Sequence, residues 1–170
     1  MESDIIIERA KASDTKEILD FWKIVGGESD NLSFGSEGKP GAENETFEKI
    51  KRIENSNTEA YFVARKDSRI IGTAHYTANT NKRMCHRGTI GLCILKAESG
   101  KGLGTRFMQT LLDFATNNAK SDIVSLEVRS DNVNAIKLYK KFGFEKIGVF
   151  KGFFKINDKL IDFDIMEKFI

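Results

Sequence analysis

The chain has 170 residues, of which 40% are hydrophobic. This predicts a single domain over residues 1–170 with a core large enough to fold without disulfides or a structural metal. A net charge of +2 with 31% charged residues gives no case for a nucleic-acid partner. No apolar stretch approaches the length of a membrane span, and Ile5–Ile7 is too short for the apolar part of a signal peptide, so we expect a cytoplasmic protein.

The first half of the chain predicts a strand, two helices and a hairpin. Residues 4–9 form a strand around the triple isoleucine, and Ser13 or Asp14 caps a helix that ends at Gly26-Gly27. A glycine- and serine-rich segment then runs to about Thr46, and a loop of this length inside a domain is more often functional than not. A helix at 46–54 and strands at 60–65 and 69–77 follow.

The second half predicts four strands alternating with two helices. The predicted elements are a strand at 89–95, a long helix ending near 117, a strand at 123–128, a helix from Asn132 to Phe142, and closing strands at 144–156 and 160–169. This order predicts the α/β (α+β) class, with helices flanking a mixed sheet whose pairs are mostly antiparallel.

The two cysteines, Cys85 and Cys93, lie eight residues apart on what is predicted to be one strand. A straight strand would separate them by roughly 27 Å at about 3.3 Å per residue, too far for a disulfide, whose Cα atoms lie within about 7 Å. The sequence therefore predicts free thiols in a reducing compartment. It shows no Cys or His spacing that would predict a metal site.

A glycine-rich turn at 98–104 stands between the strand at 89–95 and the long helix. Three glycines at alternate positions are costly in a regular element, so the turn must need a bare backbone. Its amide groups and the positive helix end together predict a phosphate or pyrophosphate site. A dinucleotide fingerprint is excluded by Thr105 and Phe107, and a Walker loop is excluded by Leu95 and Gly102.

A second motif follows about thirty residues later, at 126–132, 135–139 and 142–144. With the glycine turn, it makes the sequence resemble the GCN5-related N-acetyltransferase (GNAT) superfamily of acyl-CoA-dependent transferases. The turn resembles that family's Q/R-x-x-G-x-G/A loop, and the later run resembles its N-x-x-A-x-x-L-Y-x-x-x-G-F segment. The resemblance covers roughly residues 60–169.

The resemblance implies that the chain binds acetyl-CoA as its co-substrate. It assigns the pyrophosphate to the backbone of Gly100, Lys101, Gly102, Leu103, Gly104 and Thr105. Ser99 stands where the family often has Arg or Gln, so it brings a hydroxyl but no charge. Leu92 and Ile94 match the main-chain positions that meet the pantetheine and the acyl carbonyl.

Two residues of the second motif take roles by the same resemblance. Asn132 matches the asparagine near the cofactor arm, although it is also interpretable as a helix N-cap. Tyr139 matches the tyrosine that protonates the departing thiolate, although a core aromatic is the alternative. No carboxylate lies on the strand at 89–95, so Glu28, His86 or a water chain is expected to act as the base. A strand histidine such as His75 is interpreted as structural.

The implied function is transfer of an acetyl group to a primary amine by direct attack, and the alternative is a non-catalytic CoA-binding or regulatory module. We expect the acceptor to be a small cationic amine or a protein amino group, and the protein to be a monomer or a homodimer. The cationic acceptor is predicted from charge, because six carboxylates oppose the single Lys39 between residues 28 and 48. They are Glu28, Asp30, Glu37, Glu43, Glu45 and Glu48.

Overall fold

The computed structural model describes residues 5–170, and Asp4 of the predicted first strand lies outside them. Seven strands form one sheet in the order β1-β2-β3-β4-β5-β7-β6. All neighbours are antiparallel except β4 and β5, which confirms the predicted class. The elements are β1 (Ile6–Arg9), α1 (Thr15–Glu28), α2 (Glu43–Ile53), β2 (Glu59–Lys66), β3 (Arg69–Ala78), β4 (Arg87–Ile94), α3 (Leu103–Asn117), β5 (Ile123–Arg129), α4 (Val133–Lys141), β6 (Glu145–Ile156) and β7 (Lys159–Phe169).

A hydrophobic core lies on each face of the sheet. On one face α3 buries Phe107, Met108 and Leu111, and α4 buries Tyr139 in the same cluster. On the other face α1 and α2 bury a second cluster, which includes Ile18 of α1. Each fully buried large apolar side chain contributes about 1.5–3 kcal/mol. No helix within residues 5–170 is long and apolar enough to cross a membrane.

Helix α1 continues through Gly26 and Gly27 to Glu28, so the prediction that the glycines end it is wrong. A Cβ on Gly26 would collide with the backbone carbonyl of Gly35. The glycine therefore lets the segment after α1 cross close to the helix. The segment between α1 and α2 is residues 29–42, shorter than predicted because α2 begins at Glu43, whose carboxylate suits a helix N-terminus.

The predicted hairpins are present. Asp67 and Ser68 join β2 to β3, and Asn157 and Asp158 join β6 to β7, all four with positive φ as two-residue hairpin turns require. The prediction that Cys85 and Cys93 share a strand is wrong, because β4 begins only at Arg87 and Cys85 lies in the turn before it. Both thiols are free, as predicted.

Candidate active site

Strand β4 is paired on both edges in its first part and on only one edge in the rest. Its contact with β5 runs from Arg87 to Thr89 and then stops, whereas its contact with β3 continues to Ile94. Strand β5 continues alongside β7 instead. The two parallel strands therefore separate, and residues 90–94, which we call the open half of β4, border a cleft.

The open half presents main-chain groups to this cleft. The carbonyl of Arg87 and the amide of Leu95 are both hydrogen-bonded to the β3 side, to Asn79 and Ile71. Since hydrogen-bonding direction alternates along an antiparallel strand, Leu92 and Ile94 point their N–H and C=O groups away from β3 and into the cleft. The structure thus places both sequence-predicted residues at the cleft, where a ligand with amide groups can pair with them.

The cleft ends at the glycine turn. Gly100 and Gly102 have φ of 76° and 86°, and a Cβ at either position would meet no atom within 4 Å, so both face open space. Gly102 is the N-cap of α3 and makes no side-chain cap, so the amides of Leu103, Gly104 and Thr105 begin the helix without intrahelical partners. Free amides at a positive helix end form a site for a phosphate group.

The charges around the turn are partly paired within the protein. Lys101 lies 3.3 Å from the carboxylate of Glu98, which also binds Lys66 at 3.2 Å. The hydrogen bond from Lys66, followed by that from Lys101, holds the pKa of Glu98 below its usual range. Ser99 donates its hydroxyl to the carbonyl of Leu95 at 3.3 Å. The positive charge available to an anion at this turn is therefore reduced.

Helix α4 lies on the other side of the cleft from β4. Asn132 caps this helix, its side chain accepting a hydrogen bond from Ala135 N at 3.2 Å, so the N-cap interpretation is confirmed. Tyr139 is buried in the cluster against which Leu92 and Ile94 pack. Burial first, and then the nearby Cys93 thiol, raise the pKa of Tyr139 to about 12, so its hydroxyl stays protonated at neutral pH and can donate a proton.

The start of the 29–42 segment spans the cleft on the face opposite α3 and α4. Glu28 at the end of α1 accepts a hydrogen bond from Lys96 N at 2.7 Å, just after β4. The carbonyl of Asp30 accepts one from Arg129 at 3.1 Å, at the end of β5. Glu28, the predicted base, is thus an exposed carboxylate that joins α1 to the end of β4.

A cavity of about 290 Å³ lies on this same face, between α1, α2 and strands β2 and β3. Its lining includes Trp22, Lys39, Tyr61 and His75. His75 stands opposite Gly91 in the β3–β4 pairing, and a Cβ on Gly91 would lie 2.5 Å from His75 Cε1. The imidazole thus extends over the backbone of Gly91 and connects the cavity to the open half of β4.

His75, which the sequence interpretation treats as structural, lies where the cavity meets the open half of β4. Burial first, then the charges of Lys39 and Lys49, lower its pKa to about 4, so it is neutral at pH 7 and a weaker base than a free imidazole. In the sequence His75 is only a histidine on a predicted strand, and nothing there indicates that it pairs with Gly91. His86 lies just before β4, with its carbonyl bound to Asp122 N and Ile123 N where β4 and β5 are still paired.

The six acidic residues of the 28–48 region do not gather around one point. Glu28 binds Lys96 N, Glu37 binds Gly35 N at 2.7 Å, and Glu43 and Glu45 lie in the first turn of α2. Two of these acids therefore serve local backbone structure and two serve a helix end. Their number alone does not define a cation site.

Comparison with known proteins agrees with this geometry. The family model described as "Acetyltransferase (GNAT) family" matches residues 29–144. L-amino acid N-acetyltransferase AaaT of Escherichia coli is 29% identical over 100 residues, 59% of this chain and 62% of that protein. N-alpha-acetyltransferase RimI of Mycobacterium tuberculosis is 38% identical over 61 residues, 36% of each chain. The matched part is less than two thirds of either relative's length.

A solved structure matches over nearly the whole chain. The acetyltransferase of GNAT family from Streptococcus pneumoniae superposes with a TM-score of 0.93 at 26% identity, covering 98% of this chain and 100% of that one. The family model, the fold and the paired motifs agree, and so the resemblance noted in the sequence is confirmed. The chain belongs to the acetyltransferase (GNAT) family.

Proposed function

We propose that this protein transfers the acetyl group of acetyl-CoA to the primary amine of an acceptor. The observation that carries the proposal is the open half of β4, which has no second partner strand within residues 5–170, leads to the glycine turn and packs against the cluster that contains Tyr139. Members of this family are acetyltransferases, and the names of AaaT and RimI describe acetyl transfer to amino groups.

The cofactor residues follow from this layout. The pyrophosphate is proposed to lie on the amides of the glycine turn, from Ser99 to Thr105, and the pantetheine arm along Leu92 and Ile94. Asn132 borders the arm from the N-terminus of α4. Because Glu98 competes for Lys101, backbone amides and the helix end supply most of the attraction for the diphosphate.

The reaction is proposed to be a direct attack. The amine nitrogen forms a bond to the acetyl carbon, the C–S bond of the thioester breaks, and Tyr139 gives its proton to the departing thiolate. The amide of Leu92 or Ile94 stabilises the oxyanion. Presenting a free amine of pKa near 10.4 at pH 7 costs roughly 4.6 kcal/mol, so a base is required.

Two side chains are proposed for the base. Glu28 is the carboxylate predicted from the sequence, and His75 is the neutral imidazole over Gly91. The pH dependence of kcat in Glu28→Gln and His75→Gln assigns the role, because loss of the base removes the acidic limb of the profile in one variant and not in the other.

The proposal is tested by incubating the protein with acetyl-CoA and a panel of primary amines while thiol release is measured. We expect thiol release that depends on both the amine and the enzyme. The sequence predicts small cationic amines or basic amino termini as acceptors, and the panel must also hold neutral amines and amino acids. Tight CoA binding without thiol release for any amine would instead identify a non-catalytic CoA-binding module.

A further inference from the structure

The cavity between α1, α2, β2 and β3 is close to the size of a small-molecule site. Its volume of about 290 Å³ lies just below that of ligand pockets, which span roughly 300–1,000 Å³. One wall is aromatic, formed by Trp22 and Tyr61, and His75 connects it to the open half of β4. A compact molecule that occupied the cavity could therefore reach the reacting part of the cleft.

Lys39 brings a cation into this cavity without a counter-charge. Its Nζ lies 4.5 Å from the ring centroid of Trp22 and 5.6 Å from that of Phe34. Within residues 5–170 its ammonium forms no ion pair with a carboxylate, and burial lowers its pKa. A desolvated cation held only by aromatic faces gains more from an incoming anion than a solvated surface lysine does.

The other charges at the cavity leave its interior positive. Lys49 lines it together with Lys39. Of the two lining carboxylates, Glu59 is already held by Arg52 at 2.6 and 3.2 Å, and Glu45 is exposed in the first turn of α2. The cations that face the cavity are thus only partly balanced by the protein itself.

We propose that this cavity binds the acceptor by an anionic group and that Lys39 is the anchor, so that the acceptor is a small amine carrying a carboxylate, as an amino acid does. The inference rests on the proposed function and names its substrate class. In an α-amino acid one carbon separates the amine from the carboxylate, so a carboxylate on Lys39 leaves the amine inside the cavity that His75 also lines. This class replaces the small cationic amine expected from the count of acidic residues.

A binding experiment tests the site without catalysis. Trp22 is the only tryptophan in the chain and lies under the Lys39 ammonium, so its fluorescence reports occupancy of the cavity. The protein alone is titrated with a panel of L-amino acids and with the matching amino-acid amides. We expect saturable changes with at least one amino acid and binding weaker by about tenfold or more for its amide, which lacks the charge-assisted bond.

Three variants relate this preference to Lys39. Lys39→Met keeps a long side chain without the charge and is expected to abolish the preference for the amino acid over its amide, whereas Lys39→Arg is expected to keep it. Lys51→Met is the matched control, because Lys51 also lies near an aromatic ring, 5.8 Å from that of Phe47, but does not line the cavity. In steady-state kinetics Lys39→Met should raise KM for the amino acid about tenfold while kcat changes little.

The outcomes separate the inference from the proposed function. Amides that bind as tightly as amino acids, or a preference that survives in Lys39→Met, would overturn the role of Lys39. Thiol release with polyamines or amides and none with amino acids would refute the inference while the acetyltransferase function stands. Carboxylate-dependent binding without thiol release for any amine would support the anion site and refute the proposed function.

Discussion

On one side of the open half of β4, the cleft is bordered by main-chain groups from one short stretch of the chain, those of Leu92, Ile94 and the glycine turn at 98–104. On the other side, the cavity is bordered by side chains from α1, α2, β2, β3 and the 29–42 segment. We call these the cofactor side and the acceptor side. A main-chain site requires a particular backbone conformation, whereas a side-chain site requires only that distant residues meet.

This difference has a consequence for substitution. On the cofactor side a side chain added to the turn fills the space that an anion needs, and no neighbouring residue can restore access to the blocked amides. On the acceptor side each side chain can change by itself, altering the chemistry of the cavity while the backbone stays the same. A protein built in this way can keep its cofactor and change its acceptor.

The largest effect is expected from Gly102→Val on the cofactor side. The substitution forces a β-branched residue into a φ of 86°, at a strain of about 1–2 kcal/mol, and places methyl groups in the empty concavity. That strain lowers folding stability, whereas CoA affinity falls because each charge-assisted bond lost to the pyrophosphate costs about 1.5–3 kcal/mol of binding free energy. Calorimetry should show CoA affinity lowered by about a hundredfold or more.

The matched control is Gly143→Val, because Gly143 has a φ of 84° but lies after α4, away from the turn. It should lose stability through the same backbone strain and keep its CoA affinity. Equal CoA affinity in folded Gly102→Val and in the parent protein would show that the turn only connects β4 to α3.

Tyr139→Phe is expected to lower kcat by about 10²-fold if protonation of the thiolate limits the rate. The ring and its contact with Phe144 are kept, and within residues 5–170 the hydroxyl has no hydrogen bond to lose. Melting temperature and CoA affinity should therefore stay at the parent values. Unchanged turnover, measured by thiol release at saturating substrates, would leave Tyr139 as a core residue only.

The cofactor side is easier to predict from the sequence than the acceptor side. The glycine turn and Asn132 are recognisable because backbone geometry restricts which residues fit there, and the hairpin turns are recognisable for the same reason. The predicted end of α1 is wrong because Gly26 permits a close tertiary contact with Gly35, which no local sequence pattern indicates. The position of His75 over β4 is not predictable from the sequence, because it depends on Gly91 having no side chain on the neighbouring strand.

The acceptor side is expected to respond to acid through His75. The pKa of this residue is about 4 in the folded protein and near 6.5 when unfolded, so the unfolded chain binds the proton first. Its contribution is present above pH 6.5 and is lost as the pH falls towards 4. Because His75 is partly exposed, solvent screening reduces this contribution, and we expect it to change the free energy of unfolding by about 2 kcal/mol.

Urea unfolding at pH 7 and pH 4 measures this contribution. Between pH 7 and pH 4 the free energy of unfolding of the parent should fall by about 2 kcal/mol more than that of His75→Gln. The carboxylates that protonate in the same range are present in both proteins, so their effect cancels in this difference. In a protein that keeps His75, Lys39→Met should make this loss of unfolding free energy smaller, since the Lys39 charge helps to lower the pKa of His75. Equal losses in all three proteins would mean that His75 titrates as it does in water.

The smallest effect is expected at the charged end of the cofactor side. Glu98 binds both Lys66 and Lys101, so Glu98→Gln frees two cations next to the glycine turn. CoA affinity should rise about threefold at low salt, and the gain should fade as added salt shortens the Debye length below about 8 Å. Glu145→Gln on β6 makes the same change of net charge away from the turn and should have no effect.

A fall in affinity for Glu98→Gln would mean that the carboxylate is needed to hold the turn in shape. The cofactor side would then depend on one side chain as well as on its backbone, and it would differ less from the acceptor side than its glycines indicate.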